Sequence, residues 1–241
     1  MTPAVYVDFD GTITSQDVGN AFFVRFGGPR CQDIVAEYRN GTLSAAECFR
    51  RETAALGVLD LEEADAFLDS QEVDSTFAGF AAYCAERKYP LTVVSDGLDY
   101  YIRRILDREG LGQLTVYANS FTTVSGRTDG NSVMNVGFPY SDEVCDRCGC
   151  CKRNILLTRS SESDCIVYIG DGYSDRCPVQ YADIVFARGD LQTYCQHKNI
   201  SYYLYSSFLD VSARLERLMA DRGLRSRVEA GRLRQRAFLQ G

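Results

Sequence analysis

The sequence predicts an α/β fold with a doubly wound, Rossmann-like and mainly parallel sheet, and two observations carry this prediction. Apolar, β-rich runs that end in small or acidic residues recur along the chain as AVYVDFD, LTVVSDG, CIVYIGDG, DIVFARG and SYYLYSSF. Amphipathic helical patterns lie between them, namely FAGFAAYCAERK, YYIRRILDREG, RCPVQYA and LQTYCQHK. Strands that alternate with helices are typical of a parallel sheet, which binds its ligands beyond the carboxyl ends of its strands.

One segment interrupts this alternation. From about residue 15 to residue 75 the pattern is helical, in the stretches GNAFFVRF, CQDIVAEYRN, SAAECFRRETAAL and LEEADAFLDS, with breaks at glycines. We therefore expect a catalytic core of residues 1–14 and 76–241 and a small helical cap of residues 15–75, inserted after the first strand. A second irregular stretch, residues 119–140, predicts a β-hairpin around GRTDGNS.

The composition excludes several function classes. The 241-residue chain is 45% hydrophobic, which suffices for one substantial core, and its net charge of -7 would repel nucleic-acid phosphates. Because no run approaches the roughly 20 apolar residues of a membrane span, and no signal-peptide pattern precedes the first strand, we expect a cytoplasmic protein without a membrane partner. The single histidine, His197, argues against His-nucleophile phosphatases and multi-histidine metal sites. A homodimer stays open.

Two aspartates, Asp8 and Asp10, end the first predicted strand in VYVDFDGTIT. Side chains two residues apart on a strand share one face, and two converging carboxylates are costly unless a cation lies between them. The stretch YIGDGYSD adds Asp171 and Asp175 at another strand end. Carboxylate oxygens at one sheet edge predict a Mg²⁺ site. The alternative is that Asp8 and Asp10 are surface turn residues.

Two further residues indicate a phosphate ligand. Ser95 follows the strand LTVV, and Lys152 opens the predicted helix KRNILLTR. A hydroxyl group, an ammonium group, backbone amides at a helix start and a bound Mg²⁺ are the groups that a phosphate dianion needs. The strand ends therefore predict a site for a phosphorylated ligand.

These signals, DxDGT, then Ser, then Lys, then GDxxxD, resemble in order and spacing the haloacid dehalogenase (HAD) superfamily of aspartate-nucleophile phosphatases. The early helical insertion resembles the C1-capped branch that includes phosphoserine phosphatase. Within that branch, DFDGTIT, SDGLDYYI, CGCCK and GDGYSD are most similar to the methionine-salvage phosphatases of 2-hydroxy-3-keto-5-methylthiopentenyl-1-phosphate, and phosphoethanolamine and phosphocholine phosphatases are near relatives. The resemblance spans residues 5–208.

The resemblance implies a mechanism in which Asp8 attacks phosphorus in line and forms an aspartyl-phosphate that water then cleaves. Asp10 would protonate the leaving alkoxide and later deprotonate the water. Lys152 would neutralise charge on the nucleophile and on the phosphoryl group. Two other function classes stay open: a phosphotransferase or mutase, and a non-catalytic protein that binds a phosphorylated ligand.

The resemblance also implies ligands for the metal ion. The Asp8 carboxylate, the Asp10 carbonyl and Asp171 would hold Mg²⁺, while Asp175 would either bind it through water or orient Lys152. A cofactor other than Mg²⁺ is not implied.

The phosphate group would be bound by the Ser95 hydroxyl and the Gly97 amide, with Thr12 supporting the nucleophile loop. One residue departs from the branch, which often carries glycine where this chain has Asp96. A carboxylate there is unfavourable for an anionic substrate, so we expect it to point away; the alternative is that it binds an amine or hydroxyl of the substrate.

Specificity is expected to reside in the helical cap, which can close over a small phosphomonoester but leaves little room for a folded protein. Asp17 and Asn20, just after the nucleophile loop, and Arg51 are the polar candidates to face the substrate. The alternatives are a helix N-cap for Asp17 and a solvated helix position for Arg51.

A cysteine cluster precedes Lys152 directly and comprises Cys145, Cys148, Cys150 and Cys151. We expect free thiols in a compact loop that shapes the approach of the lysine. A zinc site and a redox-sensitive disulfide stay open as alternatives, although four cysteines in seven residues are tight for one tetrahedral site.

Overall fold

The computed structural model describes residues 1–124, 131–142, 147–221 and 224–240. The described strands are, in chain order, β1 (Thr2–Val7), β2 (Val58–Asp60), β3 (Leu91–Leu98), β4 (Thr115–Val124), β5 (Asn131–Gly137), β6 (Asp164–Gly170), β7 (Ile184–Ala187) and β8 (Tyr203–Leu204). The described helices are α1 (Val18–Gly27), α2 (Arg30–Arg39), α3 (Ala45–Leu56), α4 (Leu61–Asp69), α5 (Phe77–Glu86), α6 (Asp99–Arg108), α7 (Lys152–Arg159), α8 (Gly189–His197), α9 (Phe208–Asp221) and α10 (Val228–Gln240).

The chain forms two compact units. Unit 1 comprises Met1–Ser15, Val73–Val94 and Lys152–Gly241, and unit 2 comprises Gln16–Glu72 and Ser95–Cys151. Strand β3 begins in unit 1 and continues into unit 2, so its four first residues and its four last residues belong to different units.

Unit 1 is built on a parallel sheet in which the strands lie in the order β3, β1, β6, β7, β8. Every residue of β7 is buried, and β1 and β6 are buried from their second residue onward. Strands buried on both faces read as continuous apolar runs rather than as alternating ones, which is why VYV and CIVYI predict core strands. Because these strands are parallel, the residues that follow them lie at one edge of the sheet.

Helices α5 and α9 of unit 1 pack through aromatic side chains. The ring of Phe208 lies 4.9 Å from that of Phe77 and 5.3 Å from that of Phe80, and all three residues are buried. Burial of these three rings removes several hundred Å² of apolar surface from water. This burial stabilises the folded state by several kcal/mol, before the entropic cost of ordering the side chains is subtracted.

One predicted helix of unit 1 is wrong. The pattern RCPVQYA forms short 3₁₀ turns at Ser174–Arg176 and Pro178–Gln180 instead of a continuous α-helix. The physical reason is Pro178, which has no backbone N–H and restricts the residue before it, so a helix cannot run through this position.

Unit 2 contains helices α1 to α4 and α6, together with an antiparallel ladder in which β5 pairs with β2 and with β4. Helices α1, α2 and α3 end one or two residues before the predicted breaks at Gly28, Gly41 and Gly57, all of which have positive φ values that other residues rarely adopt. Helices α4 and α6 are joined by Arg104, whose guanidinium lies 2.7 Å from both Asp65 and Asp69.

The predicted α/β fold with a parallel sheet is confirmed, and so are the helices of the insertion. Strand β2 was not predicted, because three residues between two helices carry little signal until β5 pairs with them. The two strands of the predicted hairpin pair as β4 and β5, while residues 125–130 at its tip lie outside the described residues. The boundary of the cap at residues 15–75 stays a prediction.

Within the described parts of the chain, helices are too short or too polar to cross a bilayer.

Candidate active site

The loop after β1 carries Asp8, whose backbone N–H donates to the carbonyl of Ile169 on β6 (2.9 Å). A tight turn follows, in which the amides of Thr12 and Ile13 both donate to the carbonyl of Phe9 (3.2 and 2.9 Å). Asp10 lies in this turn and is half-buried. The turn therefore fixes the backbone on which both predicted catalytic aspartates sit.

Asp8, Asp171 and Asp175 come together in unit 1. One carboxylate oxygen of each lies within 4.8 Å of those of the other two, and Asp8 and Asp175 are fully buried or nearly so. Burial and the charge of Asp175 raise the pKa of Asp8 well above its usual value, although Lys152 opposes them. Burial and Asp175 also raise the pKa of Asp171, to about 6. Crowded acids with raised pKa values indicate a site that a cation would stabilise.

Gly11 lies against this acid cluster. Its φ is +72°, and a Cβ at this position would lie 2.6 Å from Asp171 Oδ2. The Thr12 hydroxyl donates to Asp171 Oδ1 at 2.7 Å. Glycine and threonine after DxD thus let the turn approach Asp171 closely, which is why DxDGT requires these residue types.

Lys152, the first residue of α7, is 2% exposed. Its Nζ lies 2.7 Å from Asp8 Oδ1 and 2.7 Å from Asp175 Oδ1, and it donates to Ser174 Oγ at 2.9 Å. Burial alone would lower the pKa of Lys152, but Asp175 and Asp8 raise it by more, so the net shift is upward. A charged ammonium group is therefore held directly beside the predicted nucleophile.

Asp175 has four hydrogen-bond donors. It accepts from Lys152 (2.7 Å), from the Tyr168 hydroxyl (2.5 Å) and from the amides of Asp171 and Gly172 (both 3.0 Å). Burial raises its pKa, but Lys152, Tyr168 and the backbone donors lower it by more, and the net shift is downward. Of the two roles left open by the sequence, these contacts favour orientation of Lys152.

Ser95, Asp96 and Gly97 belong to unit 2. The Gly97 amide donates to Ser95 Oγ at 2.9 Å. Asp96 Oδ1 accepts from the amides of Gly149 (3.0 Å) and Cys150 (2.9 Å), in the loop that leads to Lys152. The Asp96 carboxylate thus fixes a backbone loop, and its orientation relative to a bound substrate stays a prediction.

The cysteine-rich loop is described from residue 147 onward, so Cys145 lies outside the described residues. Cys150 and Cys151 are buried, and the Cys151 thiol donates to Asp142 at 3.8 Å. Among the described residues, the cluster of Asp8, Asp171 and Asp175 is the one group of acidic, cysteine or histidine ligands close enough to share a metal ion. Zinc and disulfide chemistry of the full cysteine cluster stay open.

The cap candidates have structural partners within unit 2. Asp17 is the N-cap of α1 and accepts from the Asn20 amide at 2.8 Å. Arg51 is half-exposed and pairs with Glu47 at 2.9 Å and Glu37 at 3.2 Å. These contacts match the structural alternatives, and a substrate role for Asp17, Asn20 or Arg51 stays a prediction.

Two notable residues were not predicted. Arg188 directly follows β7 and donates to the carbonyls of Gly11 and Thr12. Glu52 is 3% exposed on α3, where the Cys48 thiol donates to it at 3.6 Å. The strand-end rule that singles out Asp8 also points to Arg188 in DIVFARG, whereas a lone glutamate in a helix gives little signal.

Comparisons with known proteins agree with this geometry. Residues 5–177 match the family model of the haloacid dehalogenase-like hydrolases, which is more than half of the chain. The chain is 30% identical to a 2-hydroxy-3-keto-5-methylthiopentenyl-1-phosphate phosphatase of Bacillus mycoides, over 91% of this chain and 98% of that protein. It is 31% identical to a protein of the same name from an Exiguobacterium species, over 88% of this chain and 97% of the other.

Solved structures share the fold. A phospho-aspartyl intermediate analogue of phosphoserine phosphatase has a TM-score of 0.65 at 18% identity and covers 88% of this chain and 98% of its own. A HAD family hydrolase from Salmonella enterica serovar Typhi has a TM-score of 0.67 at 18% identity, covering 92% of this chain and 73% of its own. The sequence-based resemblance is confirmed: the chain belongs to the haloacid dehalogenase-like hydrolase family and is a phosphatase of that family.

Proposed function

We propose that this chain hydrolyses a small phosphomonoester with Mg²⁺ as cofactor, through an aspartyl-phosphate formed on Asp8. The environment of Asp8 carries the proposal. Its Oδ1 lies 2.7 Å from the Lys152 ammonium, and carboxylate oxygens of Asp171 and Asp175 lie within 4.8 Å. A carboxylate placed beside a buried cation and two further acids is suited to meet both a divalent metal ion and a phosphoryl group.

The donor set fits a hard divalent cation. Three carboxylates share a small volume with one buried ammonium, and Mg²⁺ prefers carboxylate and carbonyl oxygens. Asp8 and Asp171, with the Asp10 carbonyl, would hold the ion, while Asp175 would serve Lys152. When bound, Mg²⁺ would favour the ionised form of Asp8 and withdraw charge from the phosphoryl oxygens.

The residues of the chain would then divide the reaction. Asp8 would attack phosphorus, and Lys152 would stabilise the negative charge that develops on the phosphoryl oxygens. Asp10, in the turn that follows the nucleophile, would donate a proton to the leaving oxygen and later accept one from water. The phosphate-binding roles of Ser95 and Gly97 and the supporting role of Thr12 stay predictions.

The names of the curated relatives suggest the substrate, 2-hydroxy-3-keto-5-methylthiopentenyl-1-phosphate. Phosphoserine, phosphoethanolamine and phosphocholine are the alternatives, because the acid cluster and Lys152 would contact the phosphoryl group that all of them share. We place the enzyme in the cytosol, where buried thiols such as those of Cys31 and Cys84 would stay reduced.

The first test is Mg²⁺-dependent release of phosphate from p-nitrophenyl phosphate, abolished by a chelator and restored by added Mg²⁺. Asp8→Asn is nearly isosteric but cannot attack phosphorus, so we expect kcat to fall by about three orders of magnitude or more. Asp33→Asn, the same exchange at an exposed position of α2, is the matched control and should leave kcat unchanged. Activity of Asp8→Asn within tenfold of the parent would refute the assignment of the nucleophile.

The second test is a substrate panel. We expect kcat/KM for the methylthiopentenyl phosphate to exceed the values for phosphoserine, phosphoethanolamine and phosphocholine by at least about tenfold, since enzymes discriminate through kcat/KM. A higher value for one of these three compounds would replace the proposed substrate by that compound. Transfer of the phosphoryl group to added sugar acceptors, in place of release as phosphate, would instead identify a phosphotransferase.

A further inference from the structure

Arg188 occupies a strand end in unit 1 that none of the proposed catalytic roles uses. It directly follows β7, and its backbone N–H donates to the carbonyl of Gly170, the last residue of β6, at 3.4 Å. Asp8 follows β1 and Asp171 follows β6 in the same parallel sheet. Arg188 is therefore at the same sheet edge as the proposed nucleophile and the proposed metal ligand.

The Arg188 side chain binds the turn that follows the nucleophile. Its Nη2 donates to the carbonyl of Gly11 at 2.7 Å and to the carbonyl of Thr12 at 3.2 Å. Gly11 also lies against Asp171, because a Cβ at this position would lie 2.6 Å from Asp171 Oδ2. The backbone next to Asp10 therefore contacts both Arg188 and Asp171, so a shift of Arg188 would let it move.

The guanidinium group is itself restrained. It lies over the ring of Tyr205, 4.9 Å from the centroid, and Tyr205 is 5% exposed. A cation held over a buried aromatic ring and bonded to two carbonyls has little rotamer freedom.

The backbone after Arg188 is tied to Asp171. The Leu191 amide donates to the Asp171 carbonyl at 2.8 Å, and Gly189, with φ +57°, would place a Cβ 3.0 Å from that carbonyl oxygen. One short segment, residues 188–191, therefore contacts both the turn that carries Asp10 and the loop that carries Asp171.

We propose that Arg188 is a positioning residue that joins the nucleophile turn to the Asp171 loop and so sets the spacing of the Mg²⁺ ligands. The inference rests on the proposed function, because the metal site that it describes is the one proposed above. Partners that orient metal ligands typically contribute tenfold to a hundredfold to metal affinity or activity.

A role of Arg188 through its charge and a role through positioning predict opposite changes in Mg²⁺ affinity when the side chain is removed. Arg188 lies beside the Asp171 loop, because its backbone N–H donates to Gly170, the residue before Asp171, so its positive charge would oppose a bound cation. If Arg188 acted only through its charge, a neutral substitute would bind Mg²⁺ more tightly. If it positions the ligands, the same substitute would bind Mg²⁺ more weakly, and the sign of the change decides between them.

The experiment compares Arg188→Met, Arg188→Lys and the control Arg214→Met. Arg214 also lies over a tyrosine ring, that of Tyr203, at 4.8 Å, but it is on α9. Mg²⁺ binding is measured by titration calorimetry without substrate, and kcat and KM are measured with p-nitrophenyl phosphate at saturating Mg²⁺. Thermal unfolding of each variant establishes that it folds.

We expect Arg188→Met to bind Mg²⁺ about tenfold more weakly and to lose about tenfold in kcat, with KM changed less than threefold. Arg188→Lys keeps the charge but cannot reproduce the planar donor geometry, so it should lie between the parent and Arg188→Met. Arg214→Met should match the parent in both measurements.

Mg²⁺ binding by Arg188→Met that is as tight as that of the parent, or tighter, would overturn the inference. A parent protein that binds Mg²⁺ but releases no phosphate would refute the proposed function and leave the binding comparison valid. A parent that binds no Mg²⁺ would overturn both. If Arg188→Met does not fold, the comparison of Arg188→Lys with the parent decides, with weaker Mg²⁺ binding expected.

Discussion

Asp175 in unit 1 and Glu52 in unit 2 are both buried carboxyl side chains, with 0% and 3% of their surface exposed, yet their pKa values shift in opposite directions. The pKa of Asp175 is lowered, so it is ionised at neutral pH. The pKa of Glu52 is raised to about 8, so it is largely protonated at the same pH.

The difference lies in the partners and not in the burial. Burial raises the pKa of both groups, but Asp175 accepts from the Lys152 ammonium, a phenol and two backbone amides. For Glu52, burial is opposed only weakly by the Cys48 thiol, and the charge of Asp17 raises the pKa further. A thiol is a poor donor, so it cannot offset the loss of hydration.

The comparison teaches that a buried carboxyl group is ionised at neutral pH only where the fold places a buried base beside it. Asp175 and Lys152 each keep the other ionised, which leaves the ammonium available beside Asp8. Glu52 is buried too, but among the residues that the structure describes its hydrogen-bond partner is the Cys48 thiol and not a base, so folding selects its neutral form.

Among the changes that test this comparison, the largest effect is expected for Asp175→Asn. The amide cannot balance the buried ammonium of Lys152, and breaking a buried ion pair typically costs about 3–5 kcal/mol of stability. Because Lys152 would then be held less firmly beside Asp8, we expect kcat to fall at least about a hundredfold. Steady-state kinetics with p-nitrophenyl phosphate and denaturant unfolding measure the two changes.

Asp183→Asn is the matched control for this prediction. Asp183 pairs with Arg234 at 3.0 Å and has a buried side chain, but its other partners are the amides of Ile166 and Arg227. We expect it to lose stability while keeping kcat within twofold of the parent. A kcat of Asp175→Asn within threefold of the parent would show that Asp175 does not sustain the site.

A smaller effect, on stability alone, is expected for Glu52→Gln. The folded protein keeps the Glu52 proton up to about pH 8, whereas the unfolded chain releases it near the ordinary value of 4.5. The folded state therefore binds more protons in this window, and the free energy of unfolding falls as pH rises through it. The free energy of unfolding of Glu52→Gln does not contain this decrease. The difference in unfolding free energy between the variant and the parent should therefore rise, in favour of the variant, by roughly 2–3 kcal/mol from about pH 5 to pH 7.5.

Urea unfolding at these two pH values measures the change. Glu47→Gln is the control, because Glu47 is on the same helix but has about 41% of its side chain exposed and pairs with Arg51. This control should lack the gain that we expect for Glu52→Gln between the two pH values. If Glu52→Gln showed the same stability difference from the parent at both pH values, Glu52 would be ionised in the folded protein and the comparison with Asp175 would fail.

The sequence predicted most of the acid cluster because its signals are local. A buried strand is visible as an apolar run, and in a parallel sheet the residue that follows it is placed at a known edge. Asp8 and Asp171 could be located in this way, and Lys152 could be located as the first residue of the helical pattern KRNILLTR. The residue types then predicted a metal site with oxygen ligands and a binding site for a phosphate group.

The remainder depended on contacts between residues that are distant in sequence. The contacts that favour Asp175 as a partner of Lys152 rather than as a metal ligand come from Tyr168 and two amides, which no spacing encodes. Glu52 shares the helical register of the buried residues Cys48 and Leu56, but the register does not reveal whether a base faces it. The partner of a buried side chain depends on the tertiary structure, and so does the protonation state that the partner sets.

The smallest effect is expected for Arg51→Ala, which tests whether unit 2 supplies a charged group to the substrate. Arg51 has about 45% of its side chain exposed and is paired with Glu37 and Glu47. Exposed ion pairs typically contribute up to about 1 kcal/mol, so we expect a loss of about 0.5 kcal/mol in the free energy of unfolding. If these pairs are the whole role of Arg51, kcat/KM should change by less than about twofold for the metabolite and for p-nitrophenyl phosphate alike.

Arg25→Ala is the matched control, because Arg25 forms a similarly exposed pair with Glu63 at 3.0 Å. Both variants should behave alike in unfolding and in kinetics. A substrate contact would separate them: Arg51→Ala alone would then lose tenfold or more in kcat/KM for the preferred metabolite while p-nitrophenyl phosphate is spared, since the smaller compound lacks the groups that such a contact would bind. That result would make Arg51, like Lys152, a cationic side chain that is paired with acids and contacts the substrate. Each unit would then supply one such side chain.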